Sequence, residues 1–193
     1  LDAAWNDDFH HSARVALTGN AEYYYGDYRG TPQELISAVK WGFLYQGQWN
    51  ARQQRTRGAP AFDIPARHFV TFLQNHDQIA NSGRGLRAHQ LTSPGRYKAL
   101  TAVMLLGPGT PMLFQGQEFA ASSPFFYFAD FEGDLARLVC QGRAESLRQF
   151  PSIDQPEMQA CLPNPADPKT FDRSKLFFFN RPPTAEIYTL HRD

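Results

Sequence analysis

The 193-residue sequence predicts an α/β fold, namely the later strands and helices of a (β/α)8 TIM barrel, truncated at both ends. Three observations carry that expectation. Two short, continuously apolar runs, Phe69 to Leu73 and "TPMLF" at 110–114, are too brief for surface helices and suit strands buried on both faces of a parallel sheet. A helical pattern stands between them, which makes a βαβ unit. Each run ends in polar residues, "QNHDQ" and "QGQE", and neither is followed by a glycine fingerprint for a dinucleotide or phosphate, which favours a barrel over a doubly wound sheet.

The elements follow in chain order. In "TPQELISAVKWGFLYQG", Thr31 is an N-cap, Pro32 takes the first helical position and Glu34 completes a capping box. Leu35, Val39 and Phe43 then repeat at four-residue spacing, with Ile36 and Leu44 beside them, so the helix is expected to run to near Gly47. Residues 48–66 lose this periodicity, and Arg52, Arg55, Arg57, Gly58, Pro60 and Pro65 mark an exposed loop. After the first strand, Ser93 and Pro94 open a second helix whose Leu100, Val103, Met104 and Leu106 are expected to face inward, closed by Gly107 and Pro108. A third helix is expected from Asp134 to Gln149, with Leu135, Leu138, Val139 and Leu147 inside. The prolines of 151–183 indicate a long excursion over the surface, and Ile187 and Leu190 resume a helical spacing without a stop signal. Residues 1–150 are therefore assigned to the C-terminal portion of a barrel, and 151–193 to a proline-rich excursion and the start of a further helix of the same domain.

Composition narrows the function classes. Nineteen basic and nineteen acidic residues leave no net charge to draw a nucleic-acid backbone or an anionic membrane, so a neutral partner is expected. No stretch approaches the roughly 20 apolar residues that span a bilayer. The two cysteines, Cys140 and Cys161, have neither metal-ligand spacing nor the number for a disulfide framework, which fits a reducing cytoplasm.

The polar cluster at the first strand end carries the chemistry. Strand ends of a parallel barrel point into the loops of the active-site face, so Asn75, His76, Asp77 and Gln78 are placed to meet a ligand. A carboxylate beside an imidazole suits adjacent sugar hydroxyls and a developing positive charge; alternatively Asp77 only caps the next loop. Asp7, Asp8, His10 and His11 are dense enough to suggest a metal, but no H-x-H or H-E-x-x-H spacing appears, and no metal is expected. Trp5 and Tyr23, Tyr24, Tyr25 and Tyr28 are either sugar-stacking rings or packed core. Gln115 and Glu118 end the second strand, where Glu118 meets substrate hydroxyls or pairs with Arg84 or Arg87.

"NHDQ" after an apolar strand resembles the fourth sequence motif of the alpha-amylase superfamily of retaining glycoside hydrolases. "LDAAWNDDFHHSARVALTG", "YYGDY", "FLQNHDQIANSGRG" and "TPMLFQGQEFAASSPFFYFADF", in that order, are similar to the maltooligosyltrehalose trehalohydrolases within it, and "TFDRSKL" at 170–176 adds support. The resemblance runs from Leu1 to about Phe131.

It implies a cofactor-free enzyme that acts on maltooligosyltrehalose or a related α-glucan. Asp77 would be the third carboxylate, holding and distorting the sugar at the cleavage point, and His76 would bond the same ring. Asp7, Asp8, His10 and His11 would lie in a loop shaping the substrate cleft. The family's nucleophile and general acid stand in a G-[FL]-R-[LM]-D motif and an A-E segment that precede "WNDDFHH". Asp2 lacks the arginine of the first motif, so both groups are expected in a missing N-terminal part of the same barrel, and the isolated chain is expected to be inactive. Other expectations remain open: a branching enzyme or amylase, a glucan-binding module without chemistry, or a metal hydrolase built on Asp7, His10, His11 and Asp77. Asn81 and Arg84, just beyond Asp77, are candidates for the pocket that accepts trehalose. In the full-length protein, Arg84→Ala should raise KM for maltooligosyltrehalose; unchanged steady-state kinetics would remove Arg84 from the site.

Overall fold

The structure is a computed structural model that describes residues 2–177, so the helical spacing at Ile187 and Leu190 lies outside the described residues. Strand β1 (Ala4–Trp5) leads at once into helix α1 (Asp7–Thr18). The fully buried Asn6 makes that junction: its Oδ1 caps the helix by accepting the Phe9 N–H at 3.0 Å, and its Nδ2 donates to the carbonyls of Ala38 and Gly42 at 3.3 and 3.0 Å. Asp7 and Asp8 occupy the first turn, where the helix dipole favours negative charge. The expected loop at Asp7, Asp8, His10 and His11 is therefore a helix, and of these four only Asp7 is left at the surface.

Helix α2 (Pro32–Trp41) has the predicted capping box, with Thr31 and Glu34 bonded reciprocally. It stops at Gly42 rather than near Gly47. Gly42 lies at φ 81° against the Phe69 ring, where a Cβ would come within 2.6 Å of ring carbons, so no larger residue fits and the chain turns there. Phe43 and Leu44 consequently lie past the helix, and Ile36 faces solvent. The expected loop at 48–66 contains an antiparallel hairpin, β2 (Gln48–Asn50) with β3 (Arg55–Arg57).

Strand β4 (Phe69–Thr71) pairs in parallel with β1 on one side and with β5 (Thr110–Pro111) on the other, in registers Ala4↔Phe69 and Val70↔Thr110. The parallel sheet is as expected, but the strands are shorter. "TPMLF" contributes only two exposed residues at the sheet edge, and the Met112 N–H donates to the Thr71 carbonyl just beyond them at 2.8 Å. Short helix α3 (His76–Ala80) follows β4, then α4 (Pro94–Leu106), capped by Ser93. Tyr97, Leu100 and Met104 of α4 form one narrow stripe against α1, so Val103 and Leu106, expected inside, are exposed, Leu106 by 86%. In α5 (Gly133–Leu147) Leu147 is buried, whereas Leu135 and Leu138 are exposed because only the last turns of the helix meet the core. Within the expected excursion lie α6 (Pro156–Ala160) and α7 (Pro168–Ser174), and Ile153 packs with Tyr25, Tyr28 and Phe150. No helix among the described residues is long and apolar enough to cross a membrane.

α1 is the centre of the core: Phe9, Ala13 and Leu17 meet Ala38 of α2, Leu73 beyond β4, and Tyr97 and Met104 of α4. Its opposite face is held by the buried Asp8. One carboxylate oxygen of Asp8 accepts the backbone N–H groups of Leu44 and Tyr45 at 2.7 and 3.2 Å; the other accepts the Tyr28 hydroxyl and, at 3.3 Å, Arg57 Nη2. Arg57 also bonds the Tyr28 hydroxyl at 2.8 Å and Asp27 at 3.3 Å, and Arg52 pairs with Asp27 at 2.9 Å, so the arginines of the expected solvent loop fasten the hairpin to α1. Asp8→Ala would leave Arg57 and two amides without their buried acceptor and should cost about 3–5 kcal/mol, and Tyr28→Phe about 1–3 kcal/mol. Urea unfolding of the full-length variants measures both, and an unshifted midpoint for Asp8→Ala would refute the account.

Candidate active site

The expected cluster sits beyond the C-terminal end of β4. Asn75, not a loop residue but the N-cap of α3, accepts the backbone N–H groups of Asp77 and Gln78 on its side-chain oxygen at 2.9 and 3.4 Å. That bond sets the backbone of Asp77 and leaves its side chain free. The side chains of His76 and Asp77 are 54% and 59% exposed, with His76 Nε2 3.4 Å from an Asp77 oxygen. Trp5, at the end of the neighbouring strand β1, meets the His76 ring edge-on, the centroids 6.1 Å apart.

Asp7 belongs to the same surface, because β1 and β4 are parallel neighbours whose ends face the same way. Partial burial raises its carboxyl above the ordinary aspartate range; Asp8 and Asp77 add to the rise, and Arg57 opposes it. Arg143 of α5 is the nearby cation. Its Nη2 donates to the Ala80 carbonyl at the end of α3 at 3.0 Å and its guanidinium lies 4.6 Å from the centroid of the Tyr127 ring. Burial lowers its pKa, while Tyr127 and Asp77 raise it. Trp5, Asp7, His76 and Asp77 thus form one exposed polar surface with an aromatic wall, the half-buried Arg143 near Asp77, suited to hydroxyls and to a carboxylate acting on a positive centre.

Other expected site residues lie elsewhere. Asp8, His10 and His11 point into the protein, so Asp7 and Asp8, adjacent in sequence, have opposite surroundings. That division also separates the ligand set imagined for a metal. His10 stacks on Phe72, with centroids 5.0 Å apart, and its Nδ1 is 3.0 Å from the Leu73 carbonyl; His11 packs among Tyr24, Tyr25 and Tyr28. Of those tyrosines, Tyr25 and Tyr28 are core. Gln78 and Asn81 turn from the Asp77 surface towards Arg14 and Tyr24, with which they line a cavity. Arg84 is exposed, with no ion pair among the described residues. Gln115 and Glu118 are exposed beside the fully buried Arg87, whose Nη1 donates to the Gln115 carbonyl at 2.7 Å and whose charge Glu118 supports. Glu118 therefore acts on Arg87, not on Arg84. Arg14 and Arg143 were not foreseen: each is an arginine in an amphipathic helix, where solvent exposure is the ordinary expectation.

No protein-family model matches the chain. Its relatives include proteins named malto-oligosyltrehalose trehalohydrolase: 41% identical in Deinococcus radiodurans over 94% of this chain and 30% of the relative, and 36% identical in Arthrobacter ramosus over 100% and 33%. In Saccharolobus solfataricus the identity is 38% over 91% of this chain and 29% of the relative. A crystal structure of a Salmonella typhimurium protein described as an alpha amylase superposes with a TM-score of 0.81 at 41% identity, covering 91% of this chain and 29% of that one.

The buried histidines give the surface a pH limit. Burial drives His10 well below its ordinary pKa and His11 to about 4, from 6.5. Between those values the unfolded chain takes up protons that the folded form refuses. Stability should therefore be full above pH 6.5 and fall as the pH drops towards 4, by up to about 1.4 kcal/mol per pH unit for each histidine. Urea midpoints of the full-length protein across this range should show the slope, and His11→Phe should reduce it; an identical slope in the variant would refute the assignment. By sequence, the chain is related along nearly its whole length to one segment, about 30%, of the malto-oligosyltrehalose trehalohydrolases.

Proposed function

We propose that this chain forms part of a (β/α)8 glycoside hydrolase barrel and that the full-length protein releases trehalose from maltooligosyltrehalose by hydrolysing the adjacent α-1,4 bond with retention of configuration. The observation that carries this reading is Asp77: an exposed carboxylate, on a backbone set by the Asn75 cap beyond a parallel strand, in a chain related to malto-oligosyltrehalose trehalohydrolases. In this reading residues 1–150 are barrel and 151–193 are an extension of the same domain. The remainder of the barrel covers the apolar residues that α4 and α5 present outward, among them Leu106, Leu135 and Leu138.

A retaining glycosidase needs a nucleophile and an acid/base about 5–5.5 Å apart, and these come from strands outside this segment. Asp77 contributes a third carboxylate. It holds hydroxyls of the sugar at the cleavage point and stabilises positive charge as the ring becomes oxocarbenium-like, with His76 bonding the same ring and Trp5 beside it. Asp7, whose carboxyl pKa is raised by partial burial, accepts from hydroxyls along the same wall. Water finally takes the glucan from the nucleophile, and no cofactor takes part. The free cysteines Cys140 and Cys161 suit a reducing compartment such as the cytoplasm.

The likeness to a structure described as an alpha amylase favours a second reading, in which the same surface serves another α-glucan hydrolase. The products separate the two: trehalose in the first, maltooligosaccharides or glucose in the second. Trehalose release from maltooligosyltrehalose by the full-length protein should fall by several orders of magnitude in Asp77→Ala. No release by the wild type would overturn the first reading, and undiminished release by the variant would remove Asp77 from the chemistry.

A further inference from the structure

The loop that leaves β5 shares the strand-end face with Asp77, because β4 and β5 are parallel neighbours. Both ends of this loop are held by one side chain. Arg87, which lies between α3 and α4 and has no exposed surface, donates from Nη1 to the Gln115 carbonyl and from Nε to the Ser123 carbonyl, each at 2.7 Å. Between those points the loop carries Ala120 at φ 53°, a left-handed conformation that costs free energy and is kept only where the surroundings enforce it. The exit of the loop is fastened to the same segment as Arg87, since the Phe125 N–H donates to the Gly85 carbonyl at 3.0 Å.

The same loop reaches back to the end of β4. Gln117, near its start and buried, accepts the Phe114 N–H at 3.2 Å and the Gln74 Nε2 donor at 3.5 Å on its side-chain oxygen. Gln74 is buried as well, and its Oε1 accepts the N–H of Ala88, the residue after Arg87, at 2.8 Å. Gln74 directly precedes Asn75, whose side chain caps α3 and sets the backbone of Asp77. Arg87, Gln117 and Gln74 therefore form one buried polar bridge from the β5 loop to the residue before the α3 cap.

A buried charge is a poor source of stability, because desolvation offsets the attraction of its partners. A guanidinium supplies instead a planar fork whose donors have fixed directions, whereas a lysine ammonium is a point charge that cannot hold two carbonyls in that relation. The residue type thus matches the fixing of geometry. We infer that Arg87 is a positioning residue for the chemistry at Asp77: by clasping both ends of the β5 loop it holds Gln117 against Gln74, and through Gln74 and the Asn75 cap it fixes where Asp77 stands. The inference rests on the proposed glycosidase reading, in which Asp77 acts on the sugar in the transition state.

The test uses the full-length protein. Arg87→Lys keeps the charge and removes the fork, Gln74→Met removes the bridge at similar volume, and a double variant combines them, with thermal melting as the check that each is folded. In trehalose release, Arg87→Lys should reduce kcat about 10- to 100-fold, the scale of a small misplacement at a reacting centre, with KM within about twofold of the wild type. The double variant should be no slower than the slower single variant, because both changes break the same bridge. Should Arg87→Lys fail to fold, Gln117→Met takes its place and breaks the bridge from the loop side. Unchanged kcat in a folded variant, a raised KM with kcat intact, or losses that multiply in the double variant each overturn the assignment. Amide hydrogen exchange keeps this outcome apart from failure of the proposed reaction. A wild type that releases no trehalose rejects that reaction, and faster exchange at 76–81 in Arg87→Lys then still supports the positioning role. Faster exchange confined to 115–123, or none, overturns it in favour of loop packing alone.

Discussion

The buried carboxylate of Asp8 is the constraint on which the rest depends. It accepts from three different parts of the chain: the Leu44 and Tyr45 amides after α2, the Tyr28 hydroxyl, and Arg57 of the hairpin. A charge removed from water is tolerable only when so surrounded. The geometry required to surround it fixes where α2 ends, how the hairpin lies and how α1 is rotated. With α1 rotated in that way, Asp7 is turned outward and Phe9 inward, and the wall next to Asp77 follows from the packing beneath it.

Two kinds of polar group are thereby sorted by a single helix turn. Those that point in, Asp8, His10 and His11, serve the framework, and two of them are rings kept neutral by burial. Those that point out, together with His76 and Asp77, lie where strand ends face solvent. The pairing of β1 with β4 places the two groups of outward residues side by side although 65 positions separate Ala4 from its partner Phe69. Asn6 and Asn75 perform the same task after adjacent strands, each capping the helix that follows.

What the sequence made legible was the local grammar. The Thr31 capping box, the Ser93 cap and the run at Phe69 all carry their signal within a few residues, and each element begins where that signal placed it. The turn at Asn75 to Asp77 was legible as a strand end but not as a helix, since a five-residue helix has no periodicity to read. α1 was hidden because Asp8, His10, His11 and Ser12 are buried alongside Phe9, Ala13, Val15 and Leu17, and hydrophobic periodicity does not register polar residues that are buried. The hairpin was hidden for a related reason: Arg52 and Arg57 look like solvent-loving loop residues until Asp8 and Asp27 are brought to them. Val103, Leu106, Leu135 and Leu138 failed differently. Their apolar character was read correctly, but a stripe on a helix does not say which neighbouring element covers it.

The order β1-β4-β5 also governs when the fold can form. During synthesis α1 emerges with its carboxylate and imidazoles intact but with no hairpin and no β4 to receive them. The β1 edge stays unpaired until Phe69 to Thr71 have left the ribosome. Closing a loop of that length costs entropy before any sheet contact repays it, which makes such parallel pairing slow and leaves an open strand edge in the interval. The polar share of the buried surface of α1 is then an advantage. A nascent helix in which Asp8, His10 and Ser12 are destined for the interior alongside Phe9, Ala13 and Leu17 exposes less apolar surface than one buried through leucine alone, so the groups that complicate the finished core protect the unfinished one.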